Sequence, residues 1–126
     1  MNWKFSGERP VYQQIMETLR GAIVKGELAP GKKVPSVREL AAQAQVNPNT
    51  MQRAMTELER EGLLVGGGTS GRTVTTDQGV LSAMKEQILE ELARECAEKF
   101  LVFGVNPLLC VNSYKTWMSP LQKWRL

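Results

Sequence analysis

The sequence predicts a mainly α fold with one small β-hairpin, followed by a C-terminal helical segment. Three observations predict it. Apolar residues recur at helical spacing in successive segments ahead of Gly62; a glycine-rich stretch joins two short β-prone runs; and one apolar stripe then continues from about residue 79 to residue 103.

The first helix is expected from about Pro10 to Val24. Val11, Ile15, Leu19 and Ile23 recur every fourth residue, with Ala22 beside them, and give one apolar face. Pro10 suits the first helical position, where no amide donor is needed, and Lys25-Gly26 ends the helix. The stretch GELAPGKKVP is punctuated by Gly26, Pro30, Gly31 and Pro35 and reads as a structured loop. A short second helix starts at Ser36, which forms a capping box with Glu39. Leu40, Ala41, Ala44 and then Val46 give it a modest apolar side. Asn47 as cap and Pro48 at the first position restart a helix at once.

In this third helix Met51, Ala54, Met55 and Leu58 share one side. Asn49, Gln52, Arg53, Thr56 and Arg60 share the other. Gly62 stops it. Leu63-Leu64-Val65 and Thr73-Val74-Thr75 then flank a turn from Gly66 to Arg72, the pattern of a hairpin.

Three helices with a tight turn before the third, then a hairpin, make a winged helix-turn-helix. In that architecture the third helix enters the DNA major groove by its N-terminal end. A helix start facing base edges needs hydrogen-bonding side chains and little negative charge. Asn49, Thr50, Gln52 and Arg53 meet that need, since Asn and Gln pair with adenine and Arg with guanine. The acids Glu57, Glu59 and Glu61 come only near the other end. The same pattern also describes a solvated helix face with a well-capped start, so the wheel alone leaves both readings open.

Composition narrows the function. The chain has no His, which lowers the prospect of an enzyme, because most general acid–base pairs, triads and zinc sites rely on it. No cofactor loop is found: the glycines of GGGTSG lack the Lys-Ser/Thr ending of a phosphate loop and lie between strands. The formal net charge of +3 is compatible with an anionic partner. The two cysteines, Cys96 and Cys110, lie outside metal-type spacing and read as free thiols. No apolar run is long enough for a membrane helix, and MNWKFSGERP does not read as a secretory signal.

The residues from PVYQQIMETLRGAIVKGELAPGKKVPSVRELA through VNPNTMQRAMTELEREGLL to GRTV resemble the DNA-binding domain of GntR-type bacterial transcription regulators, over about residues 8–77. The short region after it resembles the YtrA subfamily, whose members follow the winged domain with a small helical dimerisation module. The resemblance implies DNA contacts from Arg38 at the start of the second helix and from Asn49, Thr50 and Gln52 in the recognition helix. Arg53 is added mainly by its outward position. Thr69, Ser70, Gly71 and Arg72 match the wing. Family wings are often richer in basic residues before the glycine, whereas Gly66-Gly-Gly68 stands there and leaves Arg72 as the one charge.

Residues 1–77 are therefore expected to form the DNA-binding domain and residues 78–126 a helical dimerisation region with an irregular hydrophobic tail. Leu81, Met84, Ile88, Leu92, Cys96 and Phe100 fall along one stripe, with Leu89 and Ala93 widening it. Such a stripe must be covered, either by its own domain or by the same helix of a second chain. The family likeness favours a twofold dimer reading two half-sites. Residues 104–126 contain no acid, two Trp (Trp117 and Trp124) and two prolines (Pro107 and Pro120). A flap over the dimer, a ligand patch that includes Tyr114 and Met118, a tail altered by a reading-frame change and irregular packing all stay open.

The sequence thus predicts a cytoplasmic regulator, a repressor by expectation, that binds a double-stranded DNA operator as a homodimer. It has no cofactor and no membrane partner, and any small-molecule effector is unidentified. A winged protein-interaction module is the alternative, disfavoured by the polar outer face of the third helix.

Overall fold

A computed structural model of the chain describes residues 1–68 and 71–106. Met1–Lys85 form one compact unit, and the remaining chain from Glu86 forms a second. The elements run α1 (Val11–Lys25), α2 (Val37–Ala44), α3 (Pro48–Arg60), β1 (Leu64–Gly68), β2 (Gly71–Val74) and α4 (Gln78–Val102).

The apolar stripes meet in a single core in which Ile15, Leu19, Leu40, Met51, Met55, Leu58 and Val74 are fully buried. Removing surface of this kind from water is the main term holding the unit together. Val11, placed on the α1 stripe by its spacing, is 36% exposed.

Pro10 departs from the expected first helical position. Its ψ of 136° places it at the N-cap, one residue earlier. Gln14, 5% exposed, ties the segment before Pro10 down. Gln14 Oε1 accepts from the Ser6 amide at 2.8 Å, and its Nε2 donates to the carbonyls of Ser6 and Arg9 at 2.9 and 2.8 Å. The buried amide is thereby satisfied on both ends.

α1 ends in left-handed Gly26. The stretch read as a loop proves to contain a third strand-like rung. Leu28 and Val34 are buried. Val34 N donates to Arg72 O at 2.9 Å, and Val74 N to Lys32 O at 3.0 Å. Lys33 and Thr73 form an antiparallel bridge along the outer edge of β2.

Ser36 Oγ accepts from the Glu39 amide at 3.1 Å and so caps α2, which is eight residues long. The turn into α3 passes through Gln45, which is left-handed at φ 55° and is the one described non-glycine residue with positive φ. Asn47 Oδ1 accepts from the Asn49 amide at 2.8 Å, and Pro48 opens α3.

β1 and β2 pair antiparallel with Leu64 opposite Val74 and a bulge between Gly66 and Gly68. A Cβ on Gly66 would stand 2.6 Å from the carbonyl oxygen of Gly71, so only glycine fits that strand position. Asp77 Oδ1 then accepts from the amides of Gly79 and Val80 at 2.9 and 3.3 Å and caps α4.

A candidate nucleic-acid interface

α3 packs against α1, α2 and β1 through Met51, Ala54, Met55 and Leu58. That packing fixes which side of the helix remains outside. Asn49, Gln52, Arg53, Thr56 and Arg60 are exposed and Thr50 is half-buried. Gln52 Nε2 donates to Thr56 Oγ1 at 3.2 Å, a weak surface bond that a base edge can replace.

Arg53 does not extend freely. Its guanidinium lies 3.8 Å from the centroid of the Tyr12 ring at the start of α1. This cation–π contact holds the planar fork while leaving its edge donors available. The sequence reading missed Tyr12, because nothing in a helical wheel relates the first turn of one helix to the second turn of another. Arg38, the second residue of α2, is exposed and has no ion-pair partner among the described residues.

The acids at the far end of α3 are each answered by an arginine. Arg60 pairs with Glu57 at 3.2 Å and Arg72 Nε with Glu59 Oε1 at 3.3 Å. Arg20 of α1 donates to Glu61 Oε2 at 2.7 Å. Such pairs near the surface contribute little stability, but they offset negative charge on the helix that carries the polar face.

In the wing, Gly71 is half-buried and left-handed at φ 84°. The side chain of Arg72 is only 11% exposed. It points inward because residues 72 and 74 share one side of the pleat and Val74 is in the core. That parity was readable in GRTV once Val74 was taken as buried. Thr69 and Ser70 lie outside the described residues.

Of the α4 stripe, Leu81 and Met84 are 5% and 6% exposed, covered by their own chain. Ile88 and Phe100 are half-buried, Cys96 is exposed, and Leu89 and Leu92 are 66% and 56% exposed. The aromatic tail residues Tyr114, Trp117 and Trp124, with Met118 and Cys110, lie outside the described residues.

Among the described residues no group of acids and cysteines is arranged to hold a metal ion, and no helix is long and apolar enough to cross a membrane. A shallow cleft of about 230 Å³ between the N-terminal residues and α1, lined by Met1, Glu17, Thr18, Lys25 and Glu27 among others, includes none of the interface residues.

A three-helix body that turns the polar side of its third helix outward and carries a hairpin behind it is the winged helix-turn-helix of DNA-binding transcription regulators. Residues 11–74 match the family model described as bacterial regulatory proteins, gntR family. The chain belongs to that family. It is 42% identical over 85 residues to the HTH-type transcriptional repressor YtrA of Bacillus subtilis, covering 63% of this chain and 65% of the relative. A GntR family transcriptional regulator from Listeria monocytogenes superposes with a TM-score of 0.80 at 30% identity, over 89% of this chain and 98% of the other. The DNA-binding domain of AraR, solved in complex with operator ORX1, superposes with a TM-score of 0.55 at 29% identity, over 60% of this chain and 96% of the other.

Proposed function

We propose that the chain is a sequence-specific regulator, a repressor, that docks α3 in the major groove of a palindromic operator as a homodimer in the cytoplasm. The observation that carries this reading is the uncharged polar start of α3, exposed and backed by a rigid core. Asn49, Thr50 and Gln52 would read bases, and Arg38 and Arg53 would meet the backbone or a guanine. The relatives support the class: YtrA is named a repressor, and the DNA-binding domain of AraR was solved with its operator.

Support for the dimer comes from α4. With Leu81 and Met84 already covered, the stripe left for a second chain is Ile88, Leu89, Leu92, Cys96 and Phe100. Leucines this exposed on successive turns need a partner surface. Two copies related by a twofold axis would present two recognition helices to half-sites about one helical turn apart.

Selection of binding sites from a random duplex pool with the full chain tests the reading. The expected result is a twofold-symmetric sequence with that spacing. Recovery of no enriched sequence would overturn it and leave the winged domain as a protein-docking module.

A further inference from the structure

We propose that the cation with which the wing meets a DNA phosphate is Lys33, from the segment ahead of α2, and that Arg72 is an internal strut held by Glu59. This rests on the groove-docking reading above and assigns roles within it.

Arg72 is the single charged residue of the hairpin turn, yet it faces the wrong way to touch DNA. Its Nε and Glu59 Oε1 form an ion pair at 3.3 Å, and both atoms are shut off from solvent with no hydrogen-bond partner, so each depends on the other's charge. The two side chains are 11% and 25% exposed. Reaching outward would strip Glu59 of its counter-charge in a largely covered place, which is costly. The pair also connects the last turn of α3 to β2 and so fixes the wing against the recognition helix.

Lys33 stands on the other side of the same strand. The bonds from Val34 N to Arg72 O and from Val74 N to Lys32 O bracket Lys33 and Thr73. They make it a non-hydrogen-bonded antiparallel pair, whose side chains leave from one face. Thr73 is exposed, so that face is the outer one. The Lys33 stem reaches the first residue of β2: its Cε lies 3.3 Å from where a Cβ on Gly71 would stand. Gly71 is therefore the bed of the lysine stem as well as a turn residue. Lys33 is exposed and pairs with no acid among the described residues. A compact ammonium on a flexible stem suits a phosphate approached from a wing.

The test is fluorescence anisotropy of the full chain on a mixed-sequence duplex across a salt series. Counterion release makes the slope of log K against log salt a count of phosphates neutralised. Lys33→Gln is expected to flatten that slope by about 0.9 for each wing engaged. Replacing the strut by a neutral pair, Glu59→Gln with Arg72→Gln, is expected to leave the slope at the wild-type value. Circular dichroism melts of all three proteins confirm that each is folded at the assay temperature. A slope indifferent to Lys33→Gln overturns the phosphate assignment, and a flattened slope in the double variant overturns the strut. Absence of any salt-dependent binding by the wild-type chain would instead sink the groove-docking reading itself.

Discussion

At the scale of single residues, the proposed docking separates side chains that would choose a sequence from those that would hold the protein on DNA. Gln52 is loosely held by Thr56, and its loss leaves no buried group unsatisfied. Gln52→Ala is therefore expected to fold normally and to lower discrimination at one base pair by about 1–3 kcal/mol. Binding-site selection with the variant would show the relaxed position. Arg38→Ala is expected to weaken all sequences alike and to reduce the salt slope by about 1 per bound domain. A change confined to one base would contradict that role. Tyr12 acts through Arg53: Tyr12→Leu keeps an apolar side chain but removes the ring face. It is expected to lower affinity less than Arg53→Ala does, and to have no further effect in an Arg53→Ala background. An additive double variant would show that the stacking is incidental.

At the scale of elements, most boundaries were readable because local chemistry announces them. Ser36 and Asn47 cap helices as their side chains allow, Pro48 opens α3, and Gly26 and Gly62 close helices in left-handed or turn backbone. What local chemistry could not show was pairing between segments far apart in sequence. The rung formed by residues 32–34 looks like a punctuated loop until β2 is beside it, and the inward turn of Arg72 shows only once Val74 fixes the pleat. The outward placement of Asn49, Gln52 and Arg53 was legible from the wheel because one rigid helix sets both sides at once. Two substitutions test the elements. Ser36→Ala should cost about 1 kcal/mol of stability through the lost cap, and a thermal melt would record it. Gly66→Ala should cost more, because the new methyl meets the Gly71 carbonyl at the bulge. A melting temperature equal to wild type would mean that the hairpin can shift its register.

At the scale of the whole molecule, the apolar stripe of α4 divides by burial. Leu81 and Met84 complete the core of the winged unit, Ile88 and Phe100 are half-buried, and Leu89 and Leu92 are exposed. The periodicity was plain in the sequence, but this division was not, because a stripe does not say which of its residues its own body will cover. Leu92→Glu is expected to shift the chain from dimer to monomer in sedimentation analysis while leaving the melting of the winged unit nearly unchanged. It should also weaken operator binding far more than binding of an isolated half-site. Leu81→Ala, by contrast, should destabilise the unit by about 2–5 kcal/mol, as buried leucines do. A Leu92→Glu chain that stayed dimeric would place the contact elsewhere.

The three arginine–glutamate links around the end of α3 have a practical corollary for handling the molecule. Arg60–Glu57 and Arg20–Glu61 lie at the surface and Arg72–Glu59 is largely covered, while Ile15, Leu40, Met51 and Leu58 sit in a dry interior that ionic strength barely touches. Concentrated sodium chloride should therefore strip the polymer from the protein long before it unravels the protein. Chain eluted from a heparin column in brine ought to regain its operator on simple dilution, with no refolding step.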